Sequence, residues 1–396
     1  MKEVVIVSAA RTAIGTIGGT LKDVPPQDLG AIVIKESIKR SGISPESVDE
    51  VIMGWSRQTT EAANIARVSA LLAGVPESAG AFTVHQQCAA GLQAISCGTM
   101  VIQTGRADVA VAGGAESLSR APYYLKGARY GYGAGDAVLV DSLTEAGPGG
   151  QPQSIYGSVS MGDTAENVAE QYNVSREDQD AFALQSQQRY AKALAEGKFK
   201  DEIVPVEIKT RKGTIVFDTD EHPRETSLEK LAGLKPSFKK GGSVTAGNSC
   251  GRNDAGAAVV LMSADKADEM GVKPLARIIT DAVVGVPPQI MGIGPIPAVR
   301  KALKQADMTL DQIELIELNE AFASQSLAVI RELGIDQSKL NVNGGAIALG
   351  HPIGATGARL MTTLLYEMRR RQARYGMVTL CIGGGQGMAT IIEALY

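Results

Sequence analysis

Two series of short apolar runs, one near each end of the chain, constrain the fold more than any other feature. VVIVSAA (4–10), EVIMGW (50–55), AFTVHQ (81–86) and ADVAVAGG (107–114) end in small or turn-forming residues and alternate with stretches that tolerate helix. The rhythm returns in LARIITDAVVG (275–285), IELIELNE (313–320), LNVNGGA (340–346) and GMVTLCIGGG (376–385). Strands and helices in alternation predict an α/β protein with two related halves. A strand leading into Cys88 and a small-residue helix resembles the strand leading into the His351 region, and AVAGG resembles CIGGG, at an identity too low to prove duplication.

At 396 residues the chain exceeds the size at which one core stops growing, so more than one domain is expected. Its 39 Lys and Arg nearly balance 43 Asp and Glu, which gives no electrostatic case for nucleic acid or an anionic membrane surface. Four cysteines without a CxxC spacing argue against a disulfide framework or a thiolate zinc site, and leave free thiols available for reaction. MKEVVIVSAAR has no apolar stretch long enough for a signal peptide, and no window approaches a membrane span. The expectation is a soluble, cytoplasmic protein acting on small molecules.

Between about 120 and 249 the texture changes to Tyr, Gly, Pro and charge, which reads as an excursion between two strand-rich halves. A helix is expected from Arg176 to Glu196, with Ser175 as its cap, Gly197 as its stop, and Phe182, Leu184 and Tyr190 turned inward. Such an excursion covers a binding cleft or serves as an oligomer contact.

Chemistry concentrates in a few places. His351 stands in NVNGGAIALGHPIGATGA (341–358), an uncharged glycine-rich run in which backbone and ligand can approach closely; the plainer role is a loop histidine closing a turn. Cys88 follows a strand and opens a helix, where unpaired amides lower a thiol pKa and can hold an oxyanion; the plainer role is packing, which suits Cys97 in the same helix. Cys381 ends an apolar strand that breaks into three glycines, a shape that exposes a side chain; it is either core or a proton carrier. Asn319 and Glu320 stand at the carboxyl end of a strand, where α/β proteins place functional groups, although Asn319 also suits an N-cap.

HQQCAAGLQAI, VAVAGGAESLSR, MGDTAENVAEQY with SREDQDAFALQSQQR, TAGNSCGRNDAGAA, ELNEAFA, NVNGGAIALGHPIGATGAR and TLCIGGGQGMA resemble, in order and spacing, the blocks of the thiolase family. That family comprises acetyl-CoA acetyltransferases and 3-ketoacyl-CoA thiolases, and the resemblance covers nearly the whole chain. It implies two similar βα-rich halves in a layered αβαβα core plus an inserted loop domain that holds coenzyme A. The first half is expected at 1–119 and 250–272, the loop domain at 120–249 and the second half at 273–396. Assembly as a homodimer or homotetramer is also implied.

By the same resemblance Cys88 is the acylated nucleophile, His351 takes its proton, and Cys381 handles the Cα proton of a second acyl-CoA. Asn319 would hold a water that forms one oxyanion hole with His351, and the amides of Cys88 and Gly383 would form the other. Contacts to CoA are expected from Arg224, Ala246, Gly247, Cys250, Met161 and Phe322. The implied reaction is a ping-pong Claisen condensation or its reverse thiolysis, with CoA thioesters as substrates and neither a metal nor a bound cofactor. Lys235, Lys239 and Lys240 face either the CoA phosphates or solvent.

The sequence departs from the family pattern in several positions. His85 stands where many members have Asn, and either perturbs the Cys88 pKa or, the favoured reading, is a hydrogen-bonded replacement for the amide. Ala89 and Ala90 replace a Gly-Ser or Ser-Ser pair, Cys250 a serine, and Ser160 a histidine. The segment 143–161 is longer than in short-chain biosynthetic members, which predicts an altered acyl pocket.

Two rivals remain at this level. GNSCG (247–251) satisfies the G-x-S-x-G pattern of serine hydrolases, but the residues after it read as loop and strand rather than helix. A condensing relative such as a ketoacyl synthase would pair its cysteine with two histidines, where this chain offers Cys381.

Overall fold

The computed structural model describes residues 2–396. The named runs form β1 (Val4–Thr12), β2 (Glu50–Gly54), β3 (Gly80–Val84) and β4 (Val109–Ser117), then β6 (Ala276–Gly285), β7 (Leu315–Leu318) and β8 (Tyr375–Ile382). LNVNGGA is the exception. It forms turns, touching β7 through one isolated bridge from Ile316 to Leu340, because Asn341 takes a left-handed φ of 42° and Gly344 one of 87°. Two further strands complete the set: β5 (Asn253–Ser263), after the central excursion, and β9 (Gln386–Ala394), at the end of the chain.

Hydrogen bonding runs in the order β7-β8-β9-β6-β1-β5-β4-β2-β3, with short pieces at Gly15–Thr16 and Ile203–Val204 added to β5 and β1. Strand pairing links the halves where Val5 and Ile6 of β1 meet Arg277 and Ala276 of β6. A register shift between Ile6 and Ser8, where β1 pairs with β5, marks a bulge beside that junction.

Strand alternation sorts side chains into layers. In β5, Val260 and Met262 pack with Ile34 and Ile38 of α1 (Pro26–Ser41) and with Ile65 of α2 (Ile65–Ala73). Their neighbours Val259 and Leu261 turn to Ile95 and Ile102 of α3 (Ala90–Gln103). In β8, Val378 and Leu380 turn to the same middle core. Met377 instead faces outward to the helices of the second half.

Four helices complete the layers: α4 (Met161–Gln171), α5 (Arg176–Ala195), α6 (Pro295–Ala306) and α7 (Ala323–Leu333). Ile296 and Val299 of α6 and Leu327 and Ile330 of α7 cover the outer face of the second sheet together with Met377. The last long helix, α8 (Ile353–Arg371), puts Leu360, Met361 and Leu364 in the middle core beside α3. The result is an αβαβα arrangement in which β1, β2, β4, β5, β7, β8 and β9 are buried on both faces, which is why they read as apolar runs rather than as an alternating pattern, while β3 and β6 are half-buried.

Helices α3 and α8 meet through glycine. A Cβ on Gly357 would lie 2.4 Å from Leu92 N, and one on Gly91 would lie 2.8 Å from Gly354 O. This approach sets the start of α3, just after Cys88, against the start of α8, just after His351. The fold thereby positions the site.

In the central excursion Ser175 caps α5, its side chain accepting from Asp178 N, and the helix ends at Ala195 with Gly197 left-handed at φ 70°. Phe182 and Tyr190 are buried and Leu184 partly so. The excursion also contains α4, started by a Ser160–Asp163 capping box, and a hairpin of Val206–Thr210 with Gly213–Phe217. It is tied to β1 by the buried Arg11, which bonds Glu202 at 2.7 Å and Asp220 at 2.8 Å. No helix among the described residues is long and apolar enough to cross a membrane.

Candidate active site

Cys88 lies in a turn, Gln87–Ala89, between β3 and α3. Gln87 just before it takes a left-handed φ of 46°, a conformation costly for a residue with a Cβ and held here by neighbours. Ser56 Oγ donates to Gln87 O at 2.9 Å, and Arg57 Nη1 donates to Gln87 Oε1 at 3.2 Å.

A cavity of about 380 Å³ opens at this turn. Cys88, His351, Gly383, Cys250, Met161 and Phe322 all line it, drawn from both halves and from the excursion. Apolar side chains of Leu118, Leu143, Met291 and Ile353 cover much of the remaining wall. Ser160 and segment 143–147 also reach it, so the long stretch before α4 borders the cavity.

Burial pushes the Cys88 thiol above its ordinary pKa, while the Gly383 amide and the Arg57 guanidinium pull it down. The sequence expectation of a lowered pKa is therefore corrected: desolvation outweighs the helix start, and a second base is needed to form the thiolate. His351 can be that base. Burial, Arg359 and Arg57 together hold its pKa down to about 3, so the ring is neutral. Its Nδ1 lies 2.7 Å from Thr356 Oγ1, its backbone N–H donates to Asn253 Oδ1 at 2.9 Å, and its Nε2 is buried without a protein partner.

Cys381 does not line the cavity. It is fully buried behind the wall, packed with Phe322, Met291, Ala321 and Met161, and the expectation that the following glycines expose it is corrected. Burial, then Cys88, then Cys250 raise its thiol pKa well above the ordinary value, which places the three sulfurs in one electrostatic neighbourhood. Cys250 is raised to about 12, by burial first and Cys88 second.

Asn319 follows β7 and is fully buried, with both Oδ1 and Nδ2 unpartnered. It is not a helix cap, because α7 begins four residues later and Phe322 holds the N-cap position. A buried amide with neither atom bonded is costly unless a ligand or water completes it. Glu320 beside it is fixed by Ser186 Oγ at 2.7 Å and Asn341 Nδ2 at 2.8 Å, which ties α5 to the residues before His351.

Of the other expected CoA contacts, Arg224, Ala246 and Gly247 do not line this cavity. Arg224 is exposed at a separate cleft, its N–H bonded to Gln187 Oε1 at 3.0 Å. Lys239 pairs with Glu170 at the surface. His85 makes no side-chain hydrogen bond to the described residues, so its reading as a bonded replacement for an amide is corrected. Burial and then Arg57 lower its pKa.

The hydrolase rival loses its geometry. Ser249 Oγ donates to Thr245 O at 2.7 Å, and the chain after it enters β5 rather than a helix. His351 is the one histidine lining the cavity, so the two-histidine arrangement of a condensing relative is absent there.

Sequence reasoning missed the supports. Glu116 at the end of β4 is buried and accepts N–H groups from Ser56, Arg57 and Gly354 at 2.8–3.1 Å. A carboxylate closing an apolar strand was the available signal. Thr356 and Asn253, which hold His351, carried no signal beyond lying in small-residue blocks.

The order of the blocks agrees with family models. "Thiolase, N-terminal domain" matches residues 4–265 and "Thiolase, C-terminal domain" residues 272–394. The chain is 53% identical over 400 residues to the acetyl-CoA acetyltransferase of Syntrophomonas wolfei, with all of each sequence covered. It superposes on the crystal structure of the Bacillus anthracis acetyl-CoA acetyltransferase with a TM-score of 0.97 and 49% identity, covering 100% of this chain and 99% of that one. Against human mitochondrial 3-ketoacyl-CoA thiolase in complex with CoA the TM-score is 0.95 at 44% identity, covering 100% and 98%. The chain belongs to the thiolase family of acyltransferases.

Proposed function

We propose that the protein joins two acetyl-CoA molecules, or cleaves a 3-ketoacyl-CoA with CoA, through an acyl group held on Cys88. The observation that carries this reading is the meeting of Cys88, His351 and Gly383 at one cavity, with Cys381 against its wall. His351, neutral and with Nε2 free, takes the Cys88 proton as the sulfur attacks a thioester carbonyl. The oxyanion that forms accepts from the amides of Cys88 and Gly383, each such donor lowering the barrier by about 3 kcal/mol. CoA leaves with a proton.

In the second half-reaction Cys381 acts in its thiolate form, the minor one at its raised pKa, and removes a methyl proton from acetyl-CoA. The enolate oxygen is held by His351 and by a water on the unpartnered Asn319 amide, and the carbanion attacks the acyl-Cys88 carbonyl. Cys88 departs as thiolate and takes up the methyl proton from Cys381, which returns to its thiolate form. Two thiols, one imidazole and backbone amides suffice, so CoA thioesters are substrates and we assign no cofactor.

CoA enters past Met161, Cys250 and Phe322. The nucleotide end then extends outward over the excursion, where Arg224, Ala246 and Gly247 are its expected contacts. The protein functions in fatty-acid metabolism or β-oxidation in the cytoplasm, as a homodimer or homotetramer; the exposed Tyr123, Leu125, Tyr130 and Leu139 on one hairpin support self-association.

Mass spectrometry after incubation with acetyl-CoA tests the roles. The wild type should carry an acetyl group on Cys88 and Cys88→Ala none. Cys381→Ala should still be acetylated but no longer exchange acetyl methyl protons with deuterated water, and unaltered exchange would remove Cys381 from the reaction.

A further inference from the structure

Cys88 and His351 belong to different halves of the molecule, and no hydrogen bond joins their side chains directly. What joins their loops is one carboxylate. Glu116 Oε2 accepts Gly354 N–H at 2.8 Å and Ser56 N–H at 3.1 Å, and Oε1 accepts Arg57 N–H at 3.1 Å. Ser56 and Arg57 in turn hold both the carbonyl and the side chain of Gln87, the left-handed residue before Cys88. Gly354 opens α8, three residues after His351 and two before Thr356, which bonds the imidazole.

The geometry tolerates little else. A Cβ on Gly354 would lie 2.9 Å from both Glu116 Oε2 and Trp55 Cα, and one on Gly114 would meet Gly354 O at 2.1 Å. The carboxylate is fully buried, yet it receives three amides and faces the positive end of a 19-residue helix, as a buried anion requires. Nothing in the reaction consumes or releases a proton at Glu116, and it does not line the cavity.

We propose that Glu116 is a positioning residue of the thiolase reaction: by bonding Ser56, Arg57 and Gly354 at once, it sets the distance and angle at which the Cys88 sulfur meets the His351 ring. The assignment rests on the thiolase reading above and goes beyond it, because it places control of the nucleophile–base geometry on a third residue. Displacing a reacting group by about 1 Å is enough to slow a positioned reaction by about 100-fold.

The test is single-turnover acetylation of Cys88 in the full chain, followed by mass spectrometry over a range of acetyl-CoA concentrations. Glu116→Gln keeps the size of the side chain and one acceptor oxygen but cannot receive all three amides. Its acetylation rate at saturation should fall about 10- to 100-fold with the half-saturating concentration unchanged. Glu116→Asp, which keeps the charge but shortens the reach, should fall between and carries the same test if Glu116→Gln does not fold.

Asp49→Asn is the control, since Asp49 clamps the other end of β4 through the amides of Asp108 and Val109 at 2.8 and 2.9 Å. It should lower the melting temperature and leave acetylation at the wild-type rate. Wild-type acetylation in folded Glu116→Gln or Glu116→Asp, or an equal slowing in Asp49→Asn, overturns the inference. Absence of any adduct on the wild type would instead overturn the thiolase reading.

Discussion

His351 Nδ1 and Thr356 Oγ1 lie 2.7 Å apart across the turn from the histidine loop into α8. The contact fixes the imidazole so that Nε2, which has no protein partner, is the nitrogen available to a substrate or to the Cys88 proton. Thr356→Val removes the oxygen at nearly constant volume and leaves Nδ1 buried and unbonded, at a cost of about 1–3 kcal/mol. The variant should melt earlier and acetylate Cys88 more slowly, by about tenfold if 1.4 kcal/mol of the loss appears in the barrier. A rate equal to wild type would show that packing alone orients the ring.

Acid should destabilise the fold through its buried histidines. His351 is lowered from 6.5 to about 3 and His222 from 6.5 to about 4, both chiefly by burial. Their folded-state pKa values lie below the unfolded ones, so between about pH 6.5 and pH 3–4 the unfolded chain binds protons that the folded chain refuses. Their contribution is fully present above pH 6.5 and is lost progressively as pH falls toward the folded values. Urea midpoints measured from pH 7 to pH 4 should drop, and the drop should be shallower in His222→Gln, which leaves the cavity untouched.

The cavity wall offers a way to shorten the acyl pocket. Gly147 lines it with an ordinary helical φ of −64°, and a Cβ there would make only van der Waals contact, 3.7 Å from Met161 N and Ser160 Cα. Gly147→Leu should therefore fold normally and fill space. Steady-state rates should fall more for 3-ketohexanoyl- and 3-ketooctanoyl-CoA than for acetoacetyl-CoA. A uniform loss across the three would place Gly147 along the pantetheine path rather than at the acyl end.

The excursion should depend on one buried ion pair for its attachment to β1. Arg11 bonds both carboxylate oxygens of Asp220, at 2.8 and 3.0 Å, and Ile14 N–H donates to the same side chain. Asp220→Ala leaves part of a buried guanidinium uncompensated and should cost about 3–5 kcal/mol. Urea denaturation followed by far-UV circular dichroism checks this, and a loss below about 1 kcal/mol would mean that Glu202 alone satisfies Arg11.

Much of the scaffold was legible because it is written locally. Strands buried on both faces need long stretches of Val, Ile, Leu and Ala, so β1, β4 and β8 stand out in the chain as apolar runs. The helix after Ser175 was legible for the same kind of reason, since its cap and stop lie within or beside the helix itself. LNVNGGA deceived because its apolar residues pack individually while Asn341 and Gly344 bend the backbone out of strand geometry. Neither the left-handed Gln87 nor the bulge in β1 leaves a mark in a sequence of ordinary residues.

The chain alone determined which residue types were available for reaction and the order in which they occur: Cys88, Asn319, His351 and Cys381, each beside glycine, alanine or the end of a strand. Tertiary structure decided that Cys88 and His351 share one cavity, through close contact of α3 and α8 at Gly91, Gly354 and Gly357 and through the Glu116 bonds. It also decided protonation, raising Cys88 and Cys381 and lowering His351. The reason is common to both. Desolvation and close approach are sums over neighbours from distant parts of the chain, whereas strand and cap signals are fixed by residues a few positions apart.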